Sequence, residues 1–357
     1  MRALTILAGK AARARIAERG FAPDLFQLLL GASGGPKWLV LSQLDRVLAD
    51  FLARRSKPID ALGTSIGSWR HACLAQDDPQ SATGRLEGHY IHQRYDTKPT
   101  PAYVSQVSRA ILDHALGDDG ARQVVENRRF RTQIGTDRGL GAAASARPHL
   151  QLPALGVAMA ANRLSRRLLG LFYQRVIFSN AEDPRSAGMK FRDFDTEYVP
   201  LTTGNLQDAL IASGSIPLVL EPVRDPAGAP PGRYWDGGIT DYHHDLSAYR
   251  GDGLVLYPHF FSEIIPGWFD KSLKRRFARG KQLDRVVLLT PSADFVRDLP
   301  GGKIPDRTDF ETLDSDARIA RWWQVVERCT ALADELQELL EAPDPLPFFE
   351  PFPGAEA

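Results

Sequence analysis

Two stretches of the chain set a serine between glycines in the pattern G-x-S-x-G: "GASGG" around Ser33 and "GTSIG" around Ser65. A serine hydroxyl becomes a nucleophile when a base takes its proton and its oxygen stands clear of the backbone. A strained turn from strand to helix supplies the second condition. Gly63 and Gly67 suit such a turn around Ser65, because a Cβ at either position would collide with neighbouring backbone. The helix expected to begin at Ile66 then directs its N-terminal amides and positive dipole end at the serine oxygen. The first loop has a different character. Gly34 and Gly35 present bare amides, Pro36 suits the first turn of a helix, and Lys37 adds positive charge, which together make the cradle a developing oxyanion needs. These properties favour Ser65 as nucleophile and Gly34, Gly35 and Lys37 as the oxyanion loop, with the reverse assignment left open.

The elements that must position these loops are legible as apolar runs and helical repeats. "FQLLL" (26–30) reads as a strand, residues 38–52 repeat apolar side chains at helical spacing, and "IDAL" (59–62) is a second strand. That is one βαβ unit, so both serine loops leave the same carboxyl edge of a parallel pair. Helices are expected over 66–76, 79–93 and 101–116, a strand over 128–136, and further strands at "YQRVIFSN", "TEYVPL", "GRYWDGG", "GLVLYP" and "VVLLTP". "NLQDALIASGSIP" reads as a helix with a broken end. The alternation implies an α/β fold, a mostly parallel central sheet with helices on both faces.

Residues 152–172 mix apolar side chains with Arg163, Arg166 and Arg167. They read as a helix packed on the core with a solvated arginine face, or else as an amphipathic lid lying on lipid. A long helix capped at Asp314 or Ser315 carries a packing stripe from Ile319 through Leu340. The Pro-rich tail 343–357 is expected to dock its phenylalanines on the protein's own core, and residues 1–342 read as a single domain.

Lys plus Arg balance Asp plus Glu at 44 each, so no global field recruits nucleic acid or an anionic membrane. Two distant cysteines, Cys73 and Cys329, make neither a disulfide framework nor a metal motif, which suits a reducing compartment. "ALTILAG" is too short for a signal-peptide core, and no apolar run reaches membrane-spanning length. The expectation is a soluble cytoplasmic protein.

"SGGPK" after the first strand, "GTSIG" one βαβ unit later, "IASGSIPLVLEPV" (211–223) and "YWDGG" (234–238) occur in the order and rough spacing of patatin-like phospholipases, and the chain resembles that family from about residue 26 to residue 245. The resemblance implies a three-layer patatin-like fold and a lipid acyl hydrolase with a Ser-Asp dyad. Ser65 falls on the nucleophile, Asp236 with Gly237 and Gly238 on the D-G-[GA] motif, and Gly34 and Gly35 on the oxyanion loop; Lys37 stands where the family has Arg or Lys. Ser33 and Trp38 occupy positions where the family usually has glycine, and "ITDYHHD" follows the D-G-G without the usual asparagine and proline.

A dyad asks Asp236 to take the Ser65 proton directly, with desolvation and oxyanion stabilisation compensating for a weak base. Water then repeats the sequence on the acyl-enzyme. No cofactor or metal is expected, and the partner is an acyl-ester or lipid substrate, with transient contact at a membrane surface. Three other readings stand beside it. One is a Ser65–Asp236–His259 triad; another is a metal site of Asp241, His243 and Asp245; the last is a non-catalytic lipid-binding module that keeps the pocket without turnover.

Overall fold

In the computed structural model, which describes residues 2–95 and 97–353, eleven strands and thirteen α-helices build an α/β fold around one mixed, mostly parallel sheet. The strands are β1 (Leu4–Ala8), β2 (Phe26–Gly31), β3 (Ile59–Thr64), β4 (Phe130–Gly139), β5 (Tyr173–Ser179), β6 (Thr196–Pro200), β7 (Val223–Arg224), β8 (Arg233–Asp236), β9 (Leu254–Pro258), β10 (Val286–Pro291) and β11 (Phe349–Glu350). Their order is β11-β1-β10-β9-β2-β3-β4-β5-β6, with β8 paired to β4 and β7 off that path. From β10 to β4 every pairing is parallel. β2, β9 and β10 are short, mainly apolar runs because side chains on both faces are covered, and β3, β9 and β10 are buried at every residue, whereas the ten-residue β4 carries Arg131, Gln133, Asp137 and Arg138.

β2 and β3 pair in register with Gly31 opposite Gly63, so both serine loops do leave one edge side by side. The connection between them differs from the expectation at its start. Residues Gly35–Leu41 form a 3-10 turn, and the α-helix begins only at Ser42. The expected long C-terminal helix is two, Ser315–Arg328 and Thr330–Glu341. At the break the Thr330 hydroxyl donates to the Glu327 carbonyl at 2.8 Å. Both segments keep their stripe in the core, Trp322 and Val326 on the first and Leu332 and Leu336 on the second. The tail adds β11 beside β1 and buries Phe349 and Phe352.

Of the solvated arginine face expected over residues 152–172, Arg163 and Arg167 are exposed as expected, whereas Arg166 is not, and the face they share is more apolar than expected. The helix Pro148–Leu164 also exposes apolar side chains, Leu152, Val157, Met159 and Leu164 among them. Arg166, in the 3-10 turn that follows, is drawn inward by the Asp193 and Asp241 carboxylates, each 3.0 Å away. Arg175 on β5 joins the same cluster through Asp193 and Asp241.

Candidate active site

The register of β4 brings the two halves of the site together. β5 takes one edge of β4 from Gln133 to Gly139, which leaves the other edge to β3 and β8 in succession. β3 runs parallel to β4 and ends with Thr64 opposite Gly135; β8 runs antiparallel and ends with Asp236 opposite Thr136. The two strands therefore meet head to head. Ser65, the first residue past β3, donates its hydroxyl proton to Asp236 Oδ2 at 2.9 Å across a separation of 171 residues. The junction needs glycine: a Cβ on Gly135 would stand 2.8 Å from Thr64 Cγ2, and one on Gly237 would overlap the Gly135 carbonyl oxygen.

Ser65 has φ 53° and ψ −131°, a backbone conformation that non-glycine residues adopt at a cost of about 1–3 kcal/mol. The surroundings hold it there. Its amide donates to Ser213 Oγ at 2.8 Å, and Ser213 Oγ donates in turn to the Gly135 carbonyl at 2.7 Å. A Cβ on Gly63 would come within 2.6 Å of the Ser68 amide nitrogen, and one on Gly67 would overlap the Gly31 carbonyl oxygen. The glycines of the second motif thus let the helix Ile66–Leu74 lie directly on β2 and β3. That helix is further anchored by Arg70, whose guanidinium grips Asp45 with two bonds of 2.7 and 2.6 Å in a buried pair.

Asp236 uses its two oxygens differently. Oδ1 accepts from the Gly238 amide at 2.7 Å, closing an Asx turn over the D-G-G sequence, and Oδ2 faces Ser65. Burial pushes its pKa up to about 6, opposed by the Gly238 amide and by the positive charge of Arg307. The chain is held on the other side by the Asp236 amide, which donates to the Ser215 carbonyl at 2.9 Å. The "IASGS" stretch therefore supports both halves of the site, Ser213 under Ser65 and Ser215 under Asp236.

Beside this pair runs the glycine-rich loop. Gly34 lies under the Phe260 ring, where a Cβ would be 2.5 Å from a ring carbon, and Gly35 has φ +54°. Among the described residues neither amide finds an acceptor, and Gly34, but not Gly35, lines the cavity that holds Ser65. Ser33 is tied into the frame. Its amide donates to the Tyr242 carbonyl, and its hydroxyl lies 2.9 Å from Thr64 Oγ1, which itself donates to the Asp241 carbonyl. Ser33 Oγ is thus the donor to Thr64 and meets no base. Trp38 is fully buried with its ring edge-on to Tyr90 at 5.8 Å, a core residue rather than part of the loop.

Ser65, Asp236, Gly34 and Lys37 line one cavity of about 250 Å³, together with Ile216, Trp268, Lys271 and Arg307. The chemistry this arrangement can perform is deprotonation of a hydroxyl by a buried carboxylate next to unpaired backbone donors. The structure does not bring His259 to the pair: the ring is buried, and its Nδ1 lies 2.7 Å from the Phe261 carbonyl oxygen. Nor do Asp241, His243 and Asp245 converge. Asp241 pairs with Arg166 and Arg175, His243 Nδ1 accepts from the Ile265 amide, and Asp245 caps Ser247. Among the described residues no group of three His, Cys, Asp or Glu side chains is arranged to hold a metal ion.

Sequence reasoning missed Ser213, Ser215, Lys271 and Arg307. The two serines flanking Gly214 at a helix end were a usable signal, since hydroxyls there bond backbone readily. Lys271 and Arg307 sit in irregular chain with no period to mark them. No protein-family model matches the chain, and no curated protein is significantly similar to it. Fold and site together define an α/β protein with a buried serine–aspartate pair at the carboxyl edge of its sheet.

Proposed function

We propose that this protein is a serine-dependent acyl-ester hydrolase that acts on lipids, with the three-layer patatin-like arrangement of helices on both faces of the sheet. The observation that carries the reading is the 2.9 Å bond from Ser65 Oγ, on a positive-φ turn, to the buried Asp236 carboxylate. Asp236 is the general base: at about 6 its pKa makes it a stronger base than a free aspartate, and it remains ionised at neutral pH. Ser65 Oγ attacks the acyl carbon as its proton passes to Asp236. The Gly34 and Gly35 amides receive the oxyanion, and Asp236 returns the proton to the leaving alcohol. Water, deprotonated by the same carboxylate, then attacks the acyl carbon, the bond to Ser65 Oγ breaks, and Asp236 returns the proton to Ser65 as the acid leaves.

A lipid substrate is supported by the apolar surface beside the cavity. Trp268 at its mouth is partly exposed, as are Leu218 and Val219 just past Ile216 and Pro217. The Leu218 amide donates to Gln151 Oε1 at 3.2 Å, which ties this rim to the helix Pro148–Leu164 and its exposed apolar face. Such a surface fits transient contact with a lipid interface. Among the described residues no helix is long and apolar enough to cross a membrane.

Labelling with a fluorophosphonate probe followed by peptide mapping tests the proposal. An adduct on Ser65 that disappears in Asp236→Asn is the expected result. An adduct on Ser33 reverses the roles of the two loops, and absence of any adduct favours a lipid-binding module without turnover.

A further inference from the structure

Asp137 lies on β4 one residue past the partner of Asp236, and its neighbours across the sheet are Arg175 on β5 and Trp235 on β8. An aspartate and an arginine opposite each other on paired strands invite an ion pair, yet among the described residues Asp137 makes none. Arg175 turns its guanidinium to Asp193 and Asp241 instead. Arg166 bonds the same two acids, and Arg166 and Arg276 both meet Asp270. Three guanidiniums thus answer three carboxylates and leave Asp137 over, a fourth acid that is fully buried.

The hydrogen bonds around Thr240 require a proton on this acid. Thr240 Oγ1 lies 2.8 Å from Asp137 Oδ1 and 3.1 Å from Asp241 Oδ2, and a hydroxyl has one proton to give. Two ionised carboxylates cannot both accept it. Asp241 is bonded by two guanidiniums, so the second proton belongs on Asp137 Oδ1, which donates to Thr240 Oγ1 while Thr240 donates to Asp241. The titratable groups facing Asp137 are Asp241, Arg175 and Tyr173. Burial, and after it the negative charge of Asp241, raise its carboxyl well above the usual carboxylate range, against the opposing effects of Thr240 and Arg175.

We propose that Asp137 is a positioning residue for the base, a neutral carboxylic acid that clamps the turn behind Asp236. The inference rests on the reading of Asp236 as the base and adds the group that holds it in place. Asp137 Oδ2 accepts from the Thr240 amide at 3.0 Å, which ties the short helix Gly238–Asp241 down onto β4. At the start of that helix the Gly238 amide bonds Asp236 Oδ1, and at its end the Asp241 carbonyl accepts from Oγ1 of Thr64, the residue before Ser65. One clamp therefore fixes the segment that reaches both members of the pair. An ionised Asp137 would set two anions against one hydroxyl proton and loosen it.

Infrared spectra test the proton first. The difference between the parent and Asp137→Asn at neutral pH is expected to contain the carbonyl stretch of a carboxylic acid, and carboxylate stretches in its place overturn the proposal. The clamp is tested through Asp236, whose carboxyl titrates at about 6 and is held down by the Gly238 amide, so a loosened turn raises it. In Asp137→Leu the midpoint, read as the infrared difference from the same protein carrying Asp236→Asn, is expected above the parent's. Asp137→Asn is expected to restore it, because its NH2 group donates to Thr240 Oγ1 and its carbonyl accepts from the Thr240 amide. A midpoint equal in parent and Asp137→Leu overturns the proposal, as does one that asparagine fails to restore. If the leucine variant does not fold, Thr240→Val, which removes the bridging hydroxyl, is expected to raise the midpoint in its place, and an unmoved midpoint there has the same force. In ester hydrolysis Asp137→Leu is expected to lower kcat at least about tenfold, the worth of one hydrogen bond, with KM within about twofold, and Asp137→Asn to recover the loss. Absence of turnover in the parent rejects the hydrolase reading alone, because both infrared results are obtained without it.

Discussion

Replacing Asp236 by asparagine should make the protein more stable and nearly inactive at once. The side chain is buried, and its carboxyl is raised from 3.8 to about 6. Unfolded, the aspartate loses its proton near 3.8; folded, it holds the proton until about pH 6. Ionisation therefore favours the unfolded chain, the cost growing as pH rises from 3.8 and complete above 6. Two pKa units correspond to about 3 kcal/mol at pH 8, about 1.5 at pH 5 and about 0.5 at pH 4. Asparagine keeps the shape and can still accept from the Gly238 amide while its NH2 group faces Ser65 Oγ, so the variant should escape most of that cost. Asp60, also pushed up to about 6 by burial, titrates alike in both proteins and cancels from the difference. Urea unfolding of parent and variant at pH 4, 5 and 8 measures the gap. Ester hydrolysis should fall by about 10²–10⁴ in the variant, and kcat/KM of the parent should decline as pH drops through about 6, where the base becomes protonated. A stability gap that does not grow with pH, or a variant retaining most of its turnover, would refute the reasoning.

Three further outcomes follow from the geometry. Ser65→Gly should be more stable than Ser65→Ala by about 1–3 kcal/mol in chemical denaturation, because glycine alone relieves the positive φ at the turn; equal stability would mean the turn is unstrained. Gly67→Ala, whose new methyl would meet the Gly31 carbonyl, should cost at least about 3 kcal/mol or abolish soluble expression, and a normal melting temperature would contradict the close approach of helix and strand. Asp45→Asn strands the buried Arg70 charge and should cost about 3–5 kcal/mol, whereas the double change Asp45→Leu with Arg70→Met should recover most of the loss; a single variant as stable as the parent would rule out the pair as an anchor.

The parts of the site that the sequence announced are those whose reasons are local. Gly63 and Gly67 are glycine because of contacts made within a few residues of the turn or by the adjoining strand, and the βαβ spacing fixes both loops on one edge. Asp236 was visible only through the resemblance of its motif, since nothing in its own neighbourhood says that it faces Ser65. That depends on β3 and β8 sharing one edge of β4, a pairing between segments far apart in the chain. Arg166 was misjudged for the same reason. An arginine among apolar residues reads as solvated unless distant acids, here Asp193 and Asp241, are known to converge on it. β1 went unassigned because its five residues, four apolar and Thr5, have no pattern until β10 lies beside them.

The abutting ends of β3 and β8 have a consequence for how this architecture tolerates change. Thr64 and Asp236 are each indexed to neighbouring positions of β4, which acts as a jig for the reactive pair. Lengthening or trimming the surface connections between residues 65 and 233 leaves that indexing alone, so grafted loops, or even new termini opened there, should be compatible with an intact serine–carboxylate distance. A single residue inserted into β4 between Gly135 and Thr136 would instead pull the two apart by one strand step, however well the remainder folded.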